Sequence, residues 1–187
     1  MSSTAGRTFT HRAAAVAERD PQYAAVAQPL IAVLRTILEQ IRCYDRLLRA
    51  IARSDKTARR LMTTPGVGYL TALAFISAIE DPARFRRSTD VGAYFGLVPR
   101  VHQSGEIDRM GRITKAGDNL TRSYLVEAAN VLLTRVERPC PLRQWGLRIM
   151  QRAGLKKAQV AVARKLATML HAMWVDGTEF EWRSDVA

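Results

Sequence analysis

Apolar residues at Leu30, Leu34, Ile37, Ile41, Tyr44, Leu48 and Ile51 recur at alternating spacings of four and three, a heptad seam over three heptads. Arg35, Arg42, Arg46, Arg49 and Arg53 lie between the seam positions. Pro29 suits the first position of this helix, where a missing N–H costs nothing. A stripe of this kind fits an antiparallel helical hairpin, a coiled coil between subunits, or a helix packed on its own domain's core. Residues 1–28 are small and polar and read as a flexible segment, with 29–60 as a coiled-coil arm.

A second pattern follows in Leu61–Asp81, LMTTPGVGYLTALAFISAIED. Pro65-Gly66-Val67-Gly68 interrupts one helix, and Tyr69 begins another that is apolar nearly all round and so expected to be buried. Helix, Gly-bearing turn and helix together are similar to a helix-hairpin-helix module. Gly66 and Gly68 allow a tight turn, and the amides that open the second helix can meet a phosphate. The alternative is a corner whose glycines serve packing only.

Asp81-Pro82 ends that helix, and Ser88 or Thr89 is placed to cap a short one through Phe95. Leu97–Arg122 has no long apolar face, so a small β-hairpin around Ser104-Gly105 is the most it predicts, with Val98, Val101, Ile107 and Ile113 as strand residues. Asp118 or Asn119 caps a helix from Leu120 to about Val136, and a short amphipathic helix spans Leu142 to Gln151. A long helix runs from Leu155 to about Val175 between Gly154 and Gly177, and Phe180 and Trp182 fold back on the core. The fold class is therefore mainly α: an N-terminal coiled-coil helix, then a compact helical domain over 61–182 with a helix-hairpin-helix-like turn.

Charge adds a partner to this picture. The 187 residues carry a formal net charge of +12. From Arg135 to Lys165 there are nine basic residues and one acid, Glu137. Such an excess points to a polyanion, nucleic acid first and an anionic membrane surface second. No uninterrupted apolar run reaches the roughly 20 residues of a membrane span. The start MSSTAGRTFTHR has no apolar signal core, so a cytoplasmic protein without membrane partners is expected. Cys43 and Cys140 are far apart and read as free thiols.

The acids are scattered and His11, His102 and His171 isolated, so no metal site is expected from this chain alone. The irregular stretch has one candidate for chemistry, Ser104 in a Ser-Gly step, surrounded by Arg100, Arg109, Arg112, Lys115 and Arg122. A serine attacking phosphorus needs such charge to stabilise the pentavalent transition state. His102, two residues upstream, is either its base or a solvated loop histidine, the commoner case. A solvated loop is also the alternative for the whole stretch.

The order PGVG, YFGLVP, QSGEIDRMGRITKAGDNLTRSYLVEAANVLL and KKAQVAVARKLATMLHAMWVDGTEF resembles the C-terminal domain of one family of insertion-sequence transposases. Those enzymes have an N-terminal RuvC-like DEDD nuclease domain and a catalytic serine in the C-terminal domain. They are also described as bridge-RNA-guided recombinases and are similar to pilin-gene invertases. The resemblance covers about Leu61 to Phe180 and implies that Ser104 is the recombination nucleophile. The glycine turn and the basic residues point separately to nucleic-acid contacts through Gly66, Gly68, Arg100, Arg109, Arg112, Lys115, Arg122, Lys156 and Lys157.

By the same resemblance the helix at 30–53 corresponds to the coiled coil that joins the family's two domains and mediates dimer contacts. None of the four nuclease acids is carried over, and Glu18 and Asp20 have no strand-like setting. The implied protein is the serine-bearing part of a truncated transposase that cuts and rejoins DNA only together with a nuclease domain. No cofactor is expected on this chain alone, and Mg2+ only with that domain. DNA, possible guide RNA and a second copy of the chain are the implied partners. The alternatives are a non-catalytic DNA- or RNA-binding helical module that binds ends or dimerises, and an RNA-binding structural protein.

Overall fold

The computed structural model describes the backbone of residues 3–17, 21–104 and 107–182, and their side chains except at 3–7, 17, 21 and 101–112. The chain divides into two compact units, Met1–Ile51 and Ala52–Ala187. Among the described residues are eight α-helices, one 3₁₀ turn and one two-stranded sheet, a mainly α protein as expected.

In the first unit, α1 (Ser3–Ala17) is helical where flexible chain was expected. Ala13, Ala14 and Ala15 are strong helix formers with no side-chain entropy to lose, which outweighs the segment's polarity. Helix α2 runs Pro21–Ser54, so it opens at Pro21 and not at Pro29. Pro29 lies inside it, and its ring forfeits the bond to the carbonyl four residues back, a cost of roughly 3 kcal/mol. The helix former-rich run Tyr23–Ala27 continues through that defect. Ile31 is buried and Leu34, Leu38 and Leu48 half-buried, whereas Leu30, Ile37, Ile41, Tyr44 and Ile51 stay 44–68% exposed. The heptad stripe is thus an open apolar face, not part of a core. By length and hydropathy a stretch of α2 would also suffice to cross a membrane. Its Arg35, Arg42, Arg46, Arg49 and Arg53 mark it instead as amphipathic.

The second unit is built on α8 (Leu155–Asp176), which packs against α3 (Lys56–Leu61), α5 (Asp90–Tyr94), α6 (Asn119–Thr134) and α7 (Pro141–Ala153). Ala158, Val162, Ala163, Leu166, Ala167 and Leu170 are fully buried on it, and the three alanines let its neighbours approach closely. At Gly146 of α7 a Cβ would lie 2.7 Å from both Leu133 and Val162, so α7 sits deep in the groove between α6 and α8. Helix α4 (Tyr69–Ile79) buries Ala72, Phe75 and Ile79 against α6, and the Thr121 hydroxyl donates to the Ala74 carbonyl at 3.2 Å. Phe180 closes the core, with Trp182 edge-on to it.

The helix ends follow the expected chemistry with one exception. The Asp118 carboxylate caps α6 by accepting from the Thr121 amide, and Gly177 ends α8 in the left-handed region. Thr89 occupies the cap position of α5 but makes no capping bond. The other candidate, Ser88, is engaged elsewhere, 2.9 Å from Nδ1 of the buried His171.

Candidate nucleic-acid interface

The turn between α3 and α4 separates the two glycines by role. Gly66 has φ +86°, and a Cβ there would collide with the Ala128 carbonyl of α6. Thr64 and Val67 on either side are buried. Gly66 therefore serves close packing of the turn on α6. Gly68 is exposed, caps α4 without a side chain and would leave open space around a Cβ. Its side of the turn is where an anion can approach the first amides of α4. Helix α3 has only six residues, a short first arm for a helix-hairpin-helix.

The expected hairpin is present as β1 (Pro99–Ser104) and β2 (Ile107–Ile113), antiparallel, with a bulge between Pro99 and Val101. Its register sets His102 opposite Arg109, Gln103 opposite Asp108 and Ser104 opposite Ile107. Ser104 thus closes β1 at the tip, and the alternation of a strand puts positions 102 and 104 on one face. This supplies what spacing alone could not: an arginine position, 109, paired to the residue two before the serine. The side chains of His102, Ser104, Arg109 and Arg112 lie outside the described ones, as does Gly105 altogether.

Among the remaining cations the structure makes distinctions. Arg100 is exposed, and its Nη2 donates to the Thr114 carbonyl at 3.2 Å, across the base of the hairpin. Lys115 is exposed with φ +56°, a left-handed backbone uncommon outside glycine, and its amide donates to the Gly96 carbonyl. Arg122 is 8% exposed. Its Nη1 donates to the carbonyls of Phe95 at 3.1 Å and Ala116 at 2.8 Å, and its Nη2 to Asn119 Oδ1 at 2.7 Å. That guanidinium is buried and makes three bonds inside the fold, so Arg122 holds the base of the hairpin.

The α7–α8 corner forms a separate cationic edge. Arg148 and Arg152 on α7 and Lys156 and Lys157 in the first turn of α8 are all exposed. No carboxylate among the described residues pairs with them. Two lysines at a helix N-terminus oppose the helix dipole, and an anion bound there relieves both. Elsewhere Lys165 lies 4.8 Å over the Trp145 ring and Arg138 4.4 Å over Trp182. No group of three His, Cys, Asp or Glu among the described residues could hold a metal ion. Cys43 and Cys140 are free.

Sequence reasoning missed His171. Its Nε2 lies 3.0 Å from the Pro82 carbonyl, which can only accept, so Nε2 carries the hydrogen. Its ring is edge-on to Phe85 at 5.5 Å. The readable sign was its position one residue after Leu170 on the buried face of α8.

A helical domain with a cationic edge and a serine-tipped hairpin is the setting in which the comparisons with known proteins apply. Residues 58–144 match the Transposase IS116/IS110/IS902 family; α4 to α6, the hairpin and most of α3 lie within this stretch. The chain is 35% identical over 136 residues to the transposase for insertion sequence element IS1111A of Coxiella burnetii, covering 72% of this chain and 37% of that protein. It is 34% identical over 145 residues to the transposase for insertion sequence element IS1328 of Yersinia enterocolitica, covering 77% and 43%. It is 31% identical over 141 residues to the pilin gene-inverting protein of Moraxella bovis, covering 73% and 42%. The chain therefore spans less than half the length of these relatives.

Proposed function

We propose that this chain is the serine-bearing, DNA-binding part of a transposase that cuts and rejoins DNA, with Ser104 as nucleophile. The observation that supports it is the register of the hairpin. Ser104 ends β1 opposite Ile107, inside the stretch that matches a transposase family. In the first step the Ser104 oxygen attacks a backbone phosphorus, its proton passes to a base, and the bond to the 3′ oxygen breaks. The product is a 5′-phosphoserine and a free 3′ hydroxyl. A 3′ hydroxyl from another end then attacks the same phosphorus and releases the serine. In this reading His102 takes the proton and Arg109 stabilises the charge that develops on the phosphate oxygens.

In this reading Gly68, Arg100, Lys115, Lys156 and Lys157 contact backbone phosphates, with Arg112 in support from β2. Mg2+ and guide RNA belong to the complete transposase, and the open stripe of α2 joins two copies. The test is a denaturing gel of end-labelled DNA after incubation with a complete relative of this domain. A protein-linked band is expected with the serine at the Ser104 position and none with alanine there. Persistence of the band with alanine removes the assignment.

A second reading, a non-catalytic module that occupies DNA ends, is supported by the exposed cations Arg148, Arg152, Lys156 and Lys157 at the α7–α8 corner, which need no chemistry to hold phosphates. It predicts salt-sensitive binding and no protein-linked band in any variant.

A further inference from the structure

On a part of the second unit that the proposed interface does not use, α3 and the segment after α8 enclose a concavity of about 340 Å3. It is lined by Lys56, Arg59, Arg60 and Glu179. Lys56 and Arg59 are exposed and Arg60 is half-buried. Arg60 lies against Gly177, its Nη2 3.8 Å from where a Cβ would stand. The guanidinium therefore lies beside the C-terminal end of α8, where the helix dipole favours a cation.

The floor is fixed as well. The Thr63 hydroxyl donates to the Arg60 carbonyl at 2.7 Å, and the Phe180 amide donates to the Thr63 oxygen at 2.9 Å. Glu179 precedes the buried Phe180, so its backbone is held too. Its carboxylate nevertheless forms no ion pair with any of the three cations. Three cations and one unpaired acid thus line one small space. Like charges gathered in a concave site are relieved by an anion, and guanidinium forks suit phosphate oxygens in particular.

We infer that this concavity is a second seat for the phosphodiester backbone of a nucleic acid, apart from the hairpin and the α7–α8 corner. The inference rests on the proposed nucleic-acid-binding function. A DNA duplex and an RNA strand carry the same phosphodiester, and the experiment separates them.

The test titrates salt against binding of the full chain to a short labelled DNA duplex and to a single-stranded RNA of equal length. Wild type is compared with Lys56→Gln/Arg59→Gln, with Glu179→Gln and with Lys156→Gln/Lys157→Gln. Each phosphate contact adds about 0.9 to the logarithmic salt slope on duplex DNA and about 0.7 on a single strand. The Lys56→Gln/Arg59→Gln slope is expected to fall by about 1.8 on DNA or about 1.4 on RNA. Whichever polymer shows the fall is the occupant. Glu179→Gln, which removes an acid and leaves the cations, is expected to tighten binding to that same polymer.

An unchanged slope in Lys56→Gln/Arg59→Gln, with a lowered slope in Lys156→Gln/Lys157→Gln, overturns the second seat and leaves the proposed function standing. Unchanged affinity in Glu179→Gln overturns it as well, should the double variant fail to fold. Wild type that binds neither polymer overturns the proposed function itself.

Discussion

The guanidinium of Arg122 donates to the backbone carbonyl of Phe95 at 3.1 Å, joining the first turn of α6 to the end of α5. The same nitrogen reaches the Ala116 carbonyl, on the segment that leaves β2. One buried side chain therefore fastens both ends of the Ser104 hairpin to the helical body. Hydrogen bonds from a charged donor contribute about 1.5–3 kcal/mol each, and acceptors left unpaired in the interior cost more than the bonds gain. Arg122→Met, which keeps length and loses the donors, is expected to destabilise the fold by roughly 2–4 kcal/mol in urea unfolding. A loss below about 1 kcal/mol would show that water replaces the guanidinium and that the latch is not structural.

The two glycines of the Pro65–Gly68 turn are expected to separate in the same assay. Gly66→Ala adds a Cβ at φ +86° where the Ala128 carbonyl already stands, so α4 or α6 must move. A loss of about 2–4 kcal/mol is expected. Gly68→Ala meets no atom within 4 Å and has an ordinary φ of −94°, so its cost stays within about 1 kcal/mol. Its effect is expected on DNA affinity, where the new methyl blocks approach to the first turn of α4. Equal stability losses at both positions would contradict the division of roles.

These contrasts show what the chain's pattern carries and what it withholds. Helices α6, α7 and α8 are legible from apolar periodicity and α4 from an apolar run, each with a stop or cap in sequence: Gly68, Asp118, Pro141, Gly154 and Gly177. These are local signals, and local structure follows them. Pro29 misleads because its penalty is local while the helix around it is long enough to absorb it. Arg122 misleads for a different reason. Charge in a basic, glycine-rich stretch points outward on average, and only the folded loops around Phe95 and Ala116 supply acceptors for it. One local sign was available: a cation in the first turn of α6 opposes the helix dipole and so calls for another reason to be there. The partners of His171, Ser88 and Pro82, and the meeting of Glu179 with Lys56, Arg59 and Arg60 depend on residues far apart in sequence and had no comparable sign.

The cap of α6 gives a pH dependence. The Thr121 hydroxyl, shared with the Ala74 carbonyl, and the Thr121 amide hold the Asp118 carboxyl below its ordinary value of 3.8, with a smaller contribution from the Arg122 charge. A carboxyl whose pKa is depressed on folding binds its proton more readily in the unfolded chain. Its stabilising effect is therefore full above the unfolded value and is lost as pH falls through the folded one. Asp118→Ala is expected to lower the thermal midpoint at neutral pH. The gap to wild type is expected to close as pH drops below 3.8, where the unfolded chain has already taken up its proton. A gap that stays constant down to strong acid would mean that the carboxylate charge has no part in the cap.

The open stripe on α2 makes a prediction about assembly. Ile37 and Ile41 are 50% and 51% exposed, four residues apart on a helix whose seam repeats in heptads. A stripe of this kind loses its contact with water when it meets a matching stripe, at about 25 cal/mol per Å2 of apolar surface. Arg35, Arg42 and Arg46 outnumber Glu39 and Asp45 along this stretch, so a paired helix must also manage an excess of positive charge. Association through this face is therefore expected to strengthen with salt, opposite to the salt response of nucleic-acid binding. Sedimentation velocity is expected to show a dimer whose weight falls to that of the monomer in Ile37→Lys/Ile41→Lys, with the helix content unchanged. A dimer that survives both lysines would place the contact on another surface, and a wild-type monomer at every salt concentration would leave α2 without a partner of its own kind.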